Sequence, residues 1–225
     1  MDLKIKDVAD LLSVSETTIR RWLSEGKIPS YKIGGQYRFS RGEIQNWVVS
    51  RKPQQNEKAD EEAASAKGGS KQFSLYRSIH KGGILHGVPG ETKEQVIRNS
   101  MGQIAQSLNL DGEVLSDLLM DRENLQPTAL NNGIGVPHTR DFLLSAHQDV
   151  VTVVFPEHPI AYGALDGKPV HTLFFLFACE DKRHLHLLAK IAHLCNQPAA
   201  IELLQSKPSK DHLLAYIKEW ETTTF

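Results

Sequence analysis

Apolar residues recur at helical spacing at Ile5, Val8 and Leu12, and again in a second stretch where Ile19, Trp22 and Leu23 share one face. Ser15 stands between the two, where a side-chain oxygen caps a helix N-terminus, so the pattern predicts helix, tight turn, helix. Gly26 ends the second helix. Tyr31-Lys32-Ile33 and Gln36-Tyr37-Arg38-Phe39 then flank Gly34-Gly35, a pair that accepts the positive φ of a two-residue hairpin. Ser40 and Glu43 have capping-box spacing ahead of Ile44, Trp47 and Val48, which predicts a third helix closing a small core.

The pattern then stops. Residues 52–72 contain no aromatic and no branched aliphatic residue and include Gly68-Gly69-Ser70, so they bury too little apolar surface to offset ordering entropy, and a flexible linker is expected. Beyond it the pattern alternates. Residues 93–108 and 113–122 are amphipathic, 149–155 and 171–178 are β-rich, and helical spacing returns over about 184–196 and 211–220. The fold expected is a small α+β winged helix-turn-helix domain over residues 1–51. A larger α/β domain, a mixed sheet flanked by helices, should follow over residues 73–225.

Charge sharpens this division. The chain of 225 residues has a formal net charge of -1, but residues 1–52 hold 10 Lys and Arg against 6 Asp and Glu, leaving 16 against 21 for the remainder. A basic N-terminal module on an acidic body points to nucleic acid at the N-terminal end. On the predicted second helix Thr17, Arg20, Arg21 and Ser24 lie opposite the apolar face, offering donors to base edges and phosphates, although such residues also make an ordinary solvated face. Cys179 and Cys195 are too few for a disulfide framework and read as small buried apolar residues. No apolar run approaches the roughly 20 residues of a membrane span and no signal peptide opens the chain, so a cytoplasmic protein with no membrane partner is expected.

The segment DVADLLSVSETTIRRWLSEGKIPSYKIGGQYRFSRGEIQNWV resembles the excisionase/MerR-like winged helix-turn-helix family. The resemblance implies that Thr17, Thr18, Arg20 and Arg21 meet the major groove of DNA, while Lys32, Gln36 and Arg38 reach the backbone or minor groove from the wing. Lys6 stands where the family usually has a Ser or Thr cap. One reading helix per chain makes a homodimer on paired half-sites a natural expectation.

Of ten histidines, His138 stands apart because it follows Asn131-Asn132-Gly133-Ile134-Gly135-Val136-Pro137, where two glycines permit an unusual backbone and Pro137 fixes the approach. Taken alone, such a turn histidine is as readily structural as chemical. Four segments, however, resemble in order the enzyme IIA of the bacterial phosphoenolpyruvate-dependent sugar phosphotransferase system, in its fructose/mannitol and nitrogen-regulatory (PtsN-like) branch. These are Asp121-Arg122-Glu123 with Leu125, GIGVPH, Leu165 to Val170 leading into FFLF, and HLHLLAKIA. The resemblance implies that His138 accepts a phosphoryl group from an HPr-type phosphocarrier, with His184 as the second site histidine and Arg122 as the supporting cation. Thr139 stands where a smaller residue is commoner.

Helical spacing puts His184 with Leu188, Ile191 and Cys195, and His186 with Lys190 and His193, which predicts His184 inward and His186 outward. On spacing alone His184 reads equally as a core histidine. A zinc site from His184, His186, His193 and Cys195 is disfavoured because residues two apart on a helix diverge, so no metal or other cofactor is expected. The function implied is a phosphorylation-responsive regulator, a histidine phosphoryl carrier rather than a stand-alone enzyme, in which phosphate on the acidic domain strengthens its contact with the basic module and competes with DNA. The alternative is a carrier passing phosphate to a separate enzyme IIB, with the N-terminal module as a docking element.

Overall fold

Helix α1 (Ile5–Leu12) begins where the Asp7 carboxylate reaches back to accept the Lys4 N–H at 2.8 Å. The Val8 N–H donates to the Lys4 carbonyl oxygen, so Lys4 rather than Lys6 holds the cap position, and Asp7 makes the half of a capping box that belongs to the third helical residue. The structure, a computed structural model, describes residues 2–12, 15–50, 74–139 and 149–224; the linker expected over 52–72 lies outside them. Ser15 caps α2 (Glu16–Ser24) by accepting the Thr18 N–H. The wing follows as β2 (Tyr31–Ile33) and β3 (Gln36–Ser40), paired antiparallel across Gly34 and Gly35, both at positive φ. Strand β1 (Asp2–Leu3) adds to the other edge of β3, and α3 (Arg41–Ser50) closes the module. Val8, Ile19, Ile28, Phe39 and Ile44 form its core, and the Trp47 indole donates to the Lys27 carbonyl oxygen.

The second domain runs α4 (Leu75–Gly82), β4 (Ile84–Val88), α5 (Lys93–Leu108), α6 (Gly112–Leu125), β5 (Ile134–Gly135), β6 (Val150–Pro156), β7 (Thr172–Phe177), α7 (Asp181–Leu194), α8 (Pro198–Gln205) and α9 (Lys210–Thr224). The strand order is β4-β6-β7-β5, with β6 and β7 antiparallel and both outer pairs parallel, the mixed sheet expected. Every residue of β6 and β7 is buried, which requires helices on both faces. Val151, Val153, Phe174 and Leu176 face Leu188 of α7 and Ile217 of α9, while Val154, Leu173 and Phe175 face Ile97 of α5 and Leu119 of α6.

Three side-chain expectations change. Lys190, placed on the outer face of its helix from the sequence, is buried and ion-paired with Glu221 of α9 at 2.8 Å. Helix α9 covers the face that spacing assigned to solvent, and the Glu221 carboxylate also accepts the Leu75 and Tyr76 N–H groups and the Ser74 hydroxyl at the start of α4. His186 is half-buried there rather than outward, and burial, aided by Lys182 and Lys190, pushes it down to about 4. Cys195 is buried, but Cys179 is only half-buried, its N–H and thiol donating to Asp149.

Candidate functional site

The backbone leading to His138 is shaped by close approaches. Gly133 sits at φ +72°, with its peptide against His171 and Pro169, and its carbonyl oxygen accepts the His171 N–H at 2.8 Å. The Asp166 carboxylate accepts the Asn132 N–H at 2.8 Å and the Lys168 N–H at 3.1 Å. Burial pushes that carboxyl up, but the donors outweigh it and hold it below its usual range. Gly135 passes so close to Leu173 that a Cβ would come within 2.7 Å of it. The chain then continues beside β7, where the Leu176 N–H donates to the Pro137 carbonyl oxygen and His138 bridges to Leu176 in parallel register.

This path delivers His138 to a fully buried position, 0 % exposed, and not to the surface turn that its sequence context suggests. Its Nδ1 lies 2.8 Å from the Val136 carbonyl oxygen. A carbonyl only accepts, so Nδ1 carries the proton and the neutral ring holds its lone pair on Nε2. The ring of His184, 2 % exposed, stands 5.1 Å away at 75°, edge to face. Spacing therefore placed His184 on the correct side of α7. Burial pushes His184 down to about 4, with the positive charges of Arg122 and Arg41 adding to the effect, so it is neutral at pH 7. Its Nε2 is buried with no hydrogen-bond partner among the described residues, an arrangement that costs stability. His193 is elsewhere, against Trp220, so the histidines of α7 do not converge.

Arg122, 5 % exposed, comes from the last turn of α6. Its Nη1 donates to the Gln126 carbonyl oxygen at 3.0 Å and its Nη2 to the Asn46 side-chain oxygen at 2.6 Å. Beneath it Glu123, buried, accepts the Thr128 N–H at 3.0 Å and the Thr128 hydroxyl, with Lys93 Nζ at 3.9 Å. Burial raises this carboxyl above its usual range against the opposing pull of Thr128 and Lys93. Thr128 in turn accepts the Val136 N–H on its carbonyl oxygen, so Glu123 ties the end of α6 to the segment before His138. The sequence motif contained Glu123 but assigned it no role. Asn46 and Arg41 carried no sequence signal at all, because their relevance arises only from packing between the two domains.

On the N-terminal module Thr17, Arg20, Arg21, Lys32 and Gln36 are exposed and Thr18 and Arg38 half-buried. Arg20 pairs with Glu16 one turn earlier, Lys32 lies over the Tyr37 ring, and Arg38 donates to the Gln36 side chain. The Thr18 hydroxyl hydrogen-bonds Ser15 within the cap, which makes it the least available of the group.

Residues 78–220 match the family described as phosphoenolpyruvate-dependent sugar phosphotransferase system, EIIA 2, and residues 3–52 match the family described as helix-turn-helix domain. A protein of Pseudomonas aeruginosa named Nitrogen regulatory protein is 33% identical over 142 residues, covering 62% of this chain and 91% of its own length. A Multiphosphoryl transfer protein of Salmonella typhimurium is 31% identical over 136 residues, 57% of this chain and 34% of its own. Among solved structures, Nitrogen Regulatory Protein IIA-Ntr from Neisseria meningitidis shares the fold at a TM-score of 0.55 and 24% identity, over 61% of this chain and 93% of its own. No helix among the described residues is long and apolar enough to cross a membrane. The chain belongs to the phosphoenolpyruvate-dependent sugar phosphotransferase system EIIA 2 family and joins that domain to an N-terminal helix-turn-helix domain.

Proposed function

We propose that the chain is a phosphorylation-responsive DNA-binding regulator: His138 accepts a phosphoryl group from an HPr-type phosphocarrier, and the helix-turn-helix module binds DNA. The observation that carries the reading is the His138 ring, held by Val136 so that its lone pair lies on Nε2, with the neutral His184 ring 5.1 Å away and the charge of the buried Arg122 acting on His184. In the transfer, Nε2 forms a bond to phosphorus as the bond to the donor breaks, its electron pair leaving with the donor. The proton stays on Nδ1, where Val136 compensates the positive charge that develops on the ring. Arg122 neutralises the phosphoryl oxygens and the His184 N–H donates to one of them. Relatives named Nitrogen regulatory protein support a regulatory output, and the exposed Thr17, Arg20, Arg21, Lys32 and Gln36 suit DNA contact, with Arg38 beside them on the wing.

The test is incubation of the full chain with phosphoenolpyruvate, enzyme I and phosphocarrier protein, followed by phosphosite mapping under alkaline conditions. Phosphate on His138 is expected; full labelling of His138→Ala would sink the assignment. The likeness to a Multiphosphoryl transfer protein supports a second reading, onward transfer to an enzyme IIB. Restoration of sugar phosphorylation on adding IIB and IIC proteins would favour it.

A further inference from the structure

We infer that the α1 and α3 face of the N-terminal module is a docking surface for the phosphoacceptor site, so that module docking and phosphoryl transfer to His138 exclude each other. This rests on the reading of His138 just given. In-line attack needs the donor phosphorus within about 3.5 Å of Nε2 with its leaving group beyond. A ring that is 0 % exposed admits no such donor, so something over the site must move.

The module closes the side that carries His184 and Arg122. Helices α1 and α3 both pack against α7. Leu11 of α1 belongs to the same buried cluster as Leu185, Leu188 and Ile191 of α7, and Leu12 and Trp47 bridge that cluster and the module's own core. At the polar rim Arg41 of α3 ion-pairs with Asp181, one turn before His184. Asn46, one and a half turns along α3, gives its side-chain oxygen to Arg122 Nη2 at 2.6 Å. That amide oxygen takes an acceptor position at the guanidinium that a phosphoryl oxygen requires. The module thus occupies an acceptor position at that cation while its apolar residues cover α7, the helix that carries His184. By linkage, docking weakens phosphorylation by the same equilibrium factor by which phosphorylation weakens docking.

The test uses the full chain and two readouts. The first is carbethoxylation of His138 by diethyl pyrocarbonate, mapped by mass spectrometry, which reports access to the ring whether or not any phosphocarrier recognises it. Arg41→Glu with Asn46→Ala removes an ion pair and a charge-assisted hydrogen bond from the rim, so His138 should react about fivefold to tenfold faster. Glu is favourable at the first position of α3, so the module should stay folded; circular dichroism checks this, and Arg41→Gln serves as the milder variant. Arg41→Glu with Asp181→Arg restores the pair in reverse and should bring the rate back toward that of the unmodified chain. The second readout is the initial rate of phosphoryl acceptance, which should rise in the same variant. Equal His138 reactivity in the unmodified chain and the rim variant would overturn the docking inference. Faster carbethoxylation with no phosphorylation of any chain would instead uphold docking and remove the phosphoacceptor reading.

Discussion

Gly133→Ala tests whether the path to His138 is as constrained as its geometry indicates. At φ +72° an L-residue is strained, and a Cβ there would stand 2.6 Å from His171 Cδ2 and 2.9 Å from the Pro169 carbonyl oxygen. The His171 ring has little freedom to give way, since it donates to the Asn132 carbonyl oxygen at 3.1 Å and accepts the Thr172 hydroxyl at 2.8 Å. The left-handed backbone costs about 1 kcal/mol or more, and overpacking against a bonded ring and a carbonyl adds about 1–3 kcal/mol. A loss of about 2–4 kcal/mol follows. Gly102 in α5 is the contrast: a Cβ there meets nothing within 4 Å, so Gly102→Ala should stabilise by about 0.5–1 kcal/mol through helix propensity. Urea unfolding followed by circular dichroism compares the pair, and phosphoryl acceptance measured on the folded Gly133→Ala protein should fall because the His138 backbone shifts. Stabilities of equal sign for the two variants would refute the reasoning.

His138→Ala should abolish phosphoryl acceptance and, because the ring is buried and bonded to Val136, also cost about 1–3 kcal/mol in urea unfolding. Arg122→Ala and His184→Gln should slow transfer without abolishing it, and unchanged rates in both would remove them from the site. Stability should also fall on acidification. Above pH 6.5 His184 is neutral in both states; between 6.5 and about 4 the unfolded chain binds a proton that the folded one refuses. The loss from this one group approaches about 3 kcal/mol, and His184→Gln should flatten that part of a pH series of urea midpoints. Arg20→Ala with Arg21→Ala should remove most DNA affinity, and binding by the unmodified chain should weaken steeply with salt; indifference to ionic strength would contradict phosphate contact.

The sequence disclosed what depends on local repetition. Ser15, Gly34-Gly35 and the long α5 are written in capping, turn and periodic signals, and the β-rich, largely apolar runs of β6 and β7 point to a sheet flanked by helices. The short α4, β4 and α8 were not singled out. His138 and His184 could be named, and the inward turn of His184 followed from spacing on its own helix. The burial of His138 and of Lys190 was not legible, since each depends on what another element lays over it. The same holds for Asn46, which meets Arg122 across 76 positions of sequence.

That cross-domain contact also changes how phosphate would reach DNA. The charge pattern alone suggests that an acidic domain folds onto the basic reading face and competes with DNA. The docked face is instead α1 and α3, while Thr17, Arg20, Arg21, Lys32 and Gln36 stay exposed with the module in place. On the proposed reading the closed chain already presents its reading helix, and phosphorylation frees the module rather than uncovering it. Closure also holds the second domain beside the module, and that domain belongs to the acidic part of the chain, where residues 53–225 carry 16 Lys and Arg against 21 Asp and Glu. Release lets that body move away from the DNA phosphates, although the phosphoryl group adds roughly two negative charges to it. The expected result is modestly tighter DNA binding by the phosphorylated chain at low salt. The difference should vanish near 1 M salt, where the Debye length falls to about 3 Å. Fluorescence anisotropy with one DNA duplex at two salt concentrations, on phosphorylated and unphosphorylated chains, decides the matter. Weaker binding by the phosphorylated chain at both salts would instead indicate direct competition for the reading face.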